Sequence, residues 1–213
     1  MTATLDLAGG VATIWLDRPD RGNALGPAMV DAIEAALDAA RADGARLIVF
    51  RGRGRNFCTG LDLSDFEALS DGDLALRILR IELLLQRIHA WPATTLCVAQ
   101  GRVFGAGADL FAACDHRLAV EGAQFSFPGV GFGLVLGTQR LASLIGEGAA
   151  RRVLLAGEAL RAAEALGLGL ATQPAREDEL DAVIARTAAL AARLDPVTVA
   201  AIHRRTRHAD DAG

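Results

Sequence analysis

An α/β fold is predicted by three features of the sequence. Short apolar runs alternate with stretches of helical periodicity, two glycine-rich turns each follow such a run, and a carboxylate stands just inside a helix start. The second of these turns organises the rest. Thr95-Leu96-Cys97-Val98-Ala99 reads as a strand, and Gly101-Arg102-Val103-Phe104-Gly105-Ala106-Gly107-Ala108-Asp109-Leu110 reads as a glycine turn entering a helix of small residues. Glycines let a ligand approach bare backbone N–H groups. The first amides of a helix lie at the positive end of its dipole, so an anion or a developing oxyanion is favoured there.

The 213 residues, 52% of them hydrophobic, suffice for one sizeable core, and no internal linker divides them. A net charge of −4 and a pI near 5.6 argue against a nucleic-acid surface. All 22 basic residues are Arg, and the absence of Lys and Tyr excludes a lysine Schiff base and a tyrosine general acid. Met1-Thr2-Ala3-Thr4-Leu5-Asp6 lacks a basic region followed by an apolar core, and no apolar run reaches transmembrane length, so a cytoplasmic protein with no membrane partner is expected. Cys58, Cys97 and Cys114 are odd in number and far apart. They are expected to be core thiols, with neither a disulfide framework nor a metal site.

In chain order, residues 3–16 suggest a hairpin about Gly9-Gly10. Asp17-Arg18-Pro19-Asp20-Arg21-Gly22-Asn23 is turn chemistry. A helix is predicted from about Gly26 to Asp43, because Met29, Ile33, Ala36, Leu37 and Ala40 recur at helical spacing. Residues 46–51 form a short apolar run between Gly44 and Gly52, as in a strand buried between layers. The glycine turn that follows, 52–63, has three arginines close by, Arg51, Arg53 and Arg55, and reads either as a solvated loop or as a loop whose arginines meet phosphate.

Residues 73–90 predict a helix with Leu74, Ile78, Ile81, Leu85 and Ile88 on one stripe, ending at His89, which reads as a capping or packing residue. Residues 114–120 read as a strand and 123–133 as a loop packed close to something. Helices are expected at about 138–146, 148–156, 161–167 and 177–194, with a last one from Pro196. The cluster His203-Arg204-Arg205-Thr206-Arg207-His208 is expected to be a solvated, fraying end rather than a metal or phosphate site.

A dinucleotide-binding fold is the first rival, but Gly105-Ala106-Gly107-Ala108-Asp109-Leu110 places leucine where that fingerprint needs its third glycine or alanine. There is no Gly-x-Ser-x-Gly elbow, no phosphate loop ending in Lys-Ser/Thr, and no two-histidine helical zinc motif.

A series of motifs in one order carries a family resemblance. Arg18-Pro19 with Asn23-Ala24-Leu25, Phe57-Cys58-Thr59-Gly60-Leu61-Asp62-Leu63, Gly101 with Gly105-Ala106-Gly107, Cys114-Asp115, Ala123-Gln124-Phe125 with Pro128, Gly137-Thr138-Gln139-Arg140-Leu141, and the segment 156–168 resemble the enoyl-CoA hydratase/isomerase (crotonase) superfamily over roughly residues 5–200. The resemblance implies a spiral of ββα units over residues 1–195, with a shortened helical C-terminal region over 196–213. It also implies a homotrimer or hexamer and a coenzyme A thioester as ligand, with no permanently bound cofactor.

By position in these motifs, the backbone N–H groups of Leu61 and Ala106 correspond to the pair that holds the thioester oxygen as it becomes an enolate. Arg21, Ala24, Thr59, Asp62 and Leu63 match positions that line CoA. Asp109 falls where hydratases of the family carry the first of two catalytic glutamates, one methylene shorter, and so is the expected acid/base. Gly129 stands where the second should be. Asp62, Asp65 and Glu67 are alternative acids that nothing in their spacing brings to the thioester.

A single acid suits double-bond isomerisation, decarboxylation or retro-aldol cleavage at least as well as hydration. Two alternatives accompany this reading: a family member that binds CoA or a partner enzyme without turnover, and, more weakly, a nicotinamide-binding oxidoreductase.

Overall fold

The computed structural model describes residues 2–206, with Phe66 described by its backbone alone. The chain opens with β1 (Ala3–Ala8) and β2 (Val11–Leu16), an antiparallel hairpin turning at Gly9-Gly10. It continues through α1 (Pro27–Ala42), β3 (Leu47–Gly52), α2 (Asp71–His89) and β4 (Thr94–Ala99). Next come β5 (Arg102–Phe104), α3 (Ala106–Ala112), β6 (His116–Val120) and β7 (Gln124–Ser126). The rest is mainly helical: α4 (Thr138–Ile145), α5 (Glu147–Ala156), β8 (Leu160–Arg161), α6 (Ala162–Leu168), β9 (Gln173–Ala175), α7 (Leu180–Ala191) and α8 (Pro196–Thr206).

Six strands form a mixed sheet in the order β1-β2-β3-β4-β6-β9, parallel throughout except for the opening hairpin. A second sheet holds β5-β7-β8. The chain therefore adds a strand to the large sheet, a short strand to the small one and then a helix. These are the ββα units that the resemblance implies.

Two short strands escape the sequence pattern. The stretch 101–110 contains β5 as well as its turns, and the glycine-rich 123–133 contains β7. Three residues are too few to show alternation, and each strand exists because it pairs with the other, Val103 opposite Phe125. The two-residue β8 and three-residue β9 are missed for the same reason.

The period of two in β3 shows where the core sits. Ile48 and Phe50 face the main core, shared with α1 and α3, whereas Leu47 and Val49 face a second cluster built with Leu180 and Val183 of α7. Burial on both faces explains why β3 is continuously apolar. Full burial of each such side chain contributes about 2 kcal/mol.

Helix α2 is fixed at its start by a capping box, in which Ser70 Oγ accepts from Asp73 N at 3.1 Å and the Asp73 carboxylate accepts from Ser70 N at 3.4 Å. Arg80 pins it to α1 through Asp31 at 2.6 Å and Glu34 at 3.1 Å, with Arg87 and Asp38 forming a further pair.

The histidine at position 203 departs from the fraying end expected there. Its Nε2 meets Asp115 Oδ1 at 3.0 Å, and its Nδ1 lies 2.6 Å from the Trp91 carbonyl, so α8 is tied to the core. Helical spacing identified the helix but not what its inner face would meet. Arg207 and His208 of the same cluster lie outside the described residues. Cys58, Cys97 and Cys114 are buried free thiols, and burial pushes Cys58 up to about 12. His89 lies 3.4 Å from the Ala113 carbonyl, in keeping with a packing role. Among the described residues no helix is long and apolar enough to cross a membrane, and no group of three or more ligating side chains could hold a metal.

Candidate active site

The site begins with two loops stitched together. Asn23, buried and in the left-handed region at φ 56°, accepts from Arg18 N through Oδ1 and donates through Nδ2 to the carbonyls of Arg53, Asn56 and Phe57. The loop 18–25 is thereby locked onto the loop 53–62. Leu25 then spends both backbone groups on the second loop, its N–H on the Gly60 carbonyl at 2.7 Å and its carbonyl on Asp62 N at 3.1 Å. In such a parallel bridge the intervening N–H, that of Leu61, points away from Leu25.

Next to this loop comes the start of α3. Gly60 and Gly105 are pressed together with φ of +95° and +50°. A Cβ on Gly60 would lie 2.8 Å from the Phe104 carbonyl and 3.4 Å from Ala106 N. Only glycine permits both the conformation and the approach. Gly105 is held in turn by its N–H on the Ser126 carbonyl at 2.8 Å, which ties the turn to β7. Among the described residues no acceptor is paired with the N–H of Leu61 or of Ala106.

Both residues border a cleft of about 800 Å³, as do Thr59, Leu63, Asp109 and Gly129. Its walls are mostly apolar: Ile78 and Leu85 from α2, Phe127, Val130 and Leu134 from the 125–137 segment, and Leu154 from α5. Of the residues singled out in the sequence, the structure brings Leu61, Ala106, Asp109, Thr59 and Leu63 together. Arg21, Ala24 and Asp62 lie on the adjoining stitched loops, outside the cleft lining. Asp62 is occupied by Arg18 Nη1 at 3.0 Å and Ser64 N at 3.0 Å. Burial pushes its pKa up, but the Ser64 and Arg18 hydrogen bonds prevail and hold it below the usual value.

Asp65 and Glu67 border the cleft, a placement that their spacing in the sequence did not show. Asp65 is engaged in a two-pronged pair with Arg77 at 2.6 Å. Of the three arginines at the 52–63 turn, Arg51 and Arg53 lie over the Trp15 ring at 4.4 and 3.7 Å, so both pack on an aromatic face.

Asp109 sits in the first turn of α3, half-buried, and its carboxylate accepts no hydrogen bond among the described residues. Gly137, at φ +65° where α4 begins, lies so close that a Cβ there would come within 2.3 Å of Asp109 Oδ1. Burial pushes Asp109 up to about 7, with Arg140 pulling it down and Glu82 pushing it further up. A carboxyl poised near neutrality can both release and take a proton at physiological pH.

A sequence profile of the enoyl-CoA hydratase/isomerase family matches residues 6–211. The chain belongs to this family. It is 34% identical, over 96% of its length and 71% of the relative's, to enoyl-CoA hydratase domain-containing protein 2, mitochondrial, of Bos taurus. Among solved structures it superposes with a TM-score of 0.96 on a Bordetella parapertussis protein named for the same family, at 42% identity over 100% of this chain and 89% of that one. An enoyl-CoA hydratase/isomerase from Xanthobacter autotrophicus Py2 superposes at 0.88, with 30% identity over 96% of this chain and 78% of that one.

For an enoyl-CoA hydratase/isomerase family member, two residues of the site went unrecognised in the sequence. Glu82 of α2 borders the cleft, and its Oε1 accepts from Arg140 Nη2 at 3.0 Å. Arg140 is 4% exposed, and its Nε and Nη1 have no partner among the described residues. A signal for Glu82 was present: it lies four residues after Ile78, on the apolar stripe of α2, where a carboxylate has no reason to be unless something meets it. Arg140 gave none, because the turn 137–141 shows nothing of what its side chain reaches.

Proposed function

We propose that the cleft holds the acyl half of a coenzyme A thioester and that the protein turns it over through an enolate. The thioester oxygen would sit between the N–H groups of Leu61 and Ala106. Donors fixed by folding and aimed at a developing charge need no reorganisation during reaction, and each is worth on the order of 3 kcal/mol. The observation that carries this reading is the contact between Gly60 and Gly105. It sets two uncommitted amides from separate turns beside one apolar cleft, with Asp109 in its wall.

Asp109 would carry the proton to or from the acyl chain, as an acid below and a base above neutrality. Thr59 and Leu63 in the lining, with Arg21, Ala24 and Asp62 on the adjoining loops, would meet the pantetheine and adenine portions. Assembly into trimers is part of the same proposal; Phe132 at 71%, Leu155 at 78% and Val197 at 74% exposure are apolar surface that subunits could cover, and light scattering would show the state in solution.

The test is turnover of 2-enoyl- and 3-enoyl-CoA thioesters by the wild type and Asp109→Asn. The variant is expected to lose about 10²–10⁴-fold in kcat while binding acyl-CoA within about threefold of the wild type. A wild type that binds acyl-CoA but turns over no thioester on a broad panel would favour the binding-only alternative. That alternative has one observation on its side: Gly129 borders the cleft without a carboxylate.

A further inference from the structure

Helix α2 lays an apolar stripe along the cleft, Leu74, Ile78, Ile81 and Leu85, and sets one carboxylate in it, Glu82. Glu82 Oε1 accepts from Arg140 Nη2 at 3.0 Å and from Gln86 Nε2 at 3.3 Å, leaving Oε2 outside both bonds. Arg140 pairs with Glu82, and with Nε and Nη1 unpartnered among the described residues it is not consumed by structure as Arg117 is. Arg117, also buried, gives its side-chain donors to the carbonyls of Leu170, Cys114, Asp115 and Gly169.

Glu82 also borders a second crevice, of about 510 Å³, on the other side of Leu136 and Thr138, which line both spaces. It therefore stands in a partition between the cleft and a separate opening. Glu82 is thus bordered by both spaces.

Resting on the proposed thioester reading, we infer that Glu82 is the second proton-carrying group of this cleft, acting with Asp109 in place of a carboxylate at position 129, and that the pair adds water to a 2-enoyl thioester. The water oxygen bonds to C3 as its proton passes to Glu82. The C2–C3 π pair moves through the thioester onto its oxygen and returns to form the C2–H bond with the proton of Asp109. One water is added; Glu82 then gives its proton to solvent through the second crevice that it borders, and Asp109 takes one back from solvent through the cleft, so both carboxyl groups regain their starting states. The geometry gives the two groups different places: Glu82 is ion-paired with Arg140, and Asp109 has no hydrogen-bond partner for its carboxylate among the described residues.

Two readouts on the full chain test this: hydration of a short 2-enoyl-CoA, and exchange of the α-hydrogens of a saturated acyl-CoA in D₂O, which needs the enolate and Asp109 but no water activation. Glu82→Gln is expected to lose about 10²-fold or more in hydration kcat while keeping α-exchange within about threefold of the wild type. Adding Gly129→Glu to it is expected to restore about tenfold or more, since a Cβ at 129 meets only Leu134, at 3.5 and 3.6 Å. Should Glu82→Gln not fold, replacing the pair together by Glu82→Leu and Arg140→Met removes the buried charges in balance and is expected to show the same loss. Hydration by either folded variant within about threefold of the wild type overturns the inference alone, as does a wild type that exchanges but does not hydrate. A wild type that does neither overturns the thioester reading, and this inference with it.

Discussion

Asp109 and Asp115 stand near opposite ends of α3, and the fold treats them in opposite ways. Asp115 Oδ2 accepts from Thr95 N at 2.8 Å and Thr95 Oγ1 at 2.9 Å, and its Oδ1 meets His203. Burial pushes its pKa up, but His203 and Thr95 more than offset this and hold it below the usual carboxylate range. Asp109 has no such partners, and burial takes it up to about 7. The two differ in what the fold provides for the charge. A carboxylate that is fully hydrogen-bonded serves the fold, whereas one buried next to a cleft without partners destabilises the ionised state and is tolerated where a proton is to move.

The largest effect that would sharpen this contrast is on rate. Asp109→Asn should reduce turnover by the amount given above with little change in binding, and Asp115→Asn should leave kcat per folded molecule unchanged. Next is Ala106→Pro. Proline is tolerated at the first position of a helix and removes one N–H, so kcat should fall about 10²–10³-fold with the melting temperature nearly unchanged.

Stability should respond in the reverse order. Asp115→Ala removes charged hydrogen bonds from two elements and frees α8 from its anchor. It should cost about 2 kcal/mol, a fall in Tm of about 4–8 °C.

The smallest effect lies in the pH dependence, and its signs are opposite. Asp109 is raised above its unfolded value of 3.8, so the folded protein binds the extra proton between that value and about 7, and loses stability as pH rises through this window. Asp109→Asn should therefore raise Tm by a few degrees at about pH 8 and by almost nothing at about pH 4. Asp115 is lowered, so its contribution is complete above 3.8 and is lost as pH falls through its folded value. The penalty of Asp115→Ala should shrink correspondingly in acid. Thermal melts of the two variants across the range would break the comparison if both curves bent the same way.

Most of this contrast was hidden in the sequence, though its setting was legible. The periodicity of 27–42, the continuous apolar run of β3 and the glycine turn before Asp109 each follow from local chemistry, and they placed the main strands and helices. Ordered motifs from Arg18-Pro19 to Arg140-Leu141 marked, through the family resemblance, Leu61, Ala106 and Asp109, which all border the cleft. What stayed hidden depends on partners distant in the chain. Strands β5 and β7 exist only because they pair across the small sheet, His203 is ordered because Asp115 and the Trp91 carbonyl meet it, and Arg140 reaches Glu82 across two helices. A carboxylate on the apolar stripe of α2 was the one clue in the sequence to Glu82 at the cleft.

The central claim is that the amides of Leu61 and Ala106 converge on a single thioester oxygen. The most direct measurement is the carbonyl stretching frequency of an acyl-CoA carrying ¹³C at its thioester carbon, bound to the wild type and to Ala106→Pro. Convergence predicts a shift to lower frequency on binding, most of it lost when the Ala106 N–H is removed. A bound carbonyl with the frequency it has in water, or the same shift in both proteins, would contradict it.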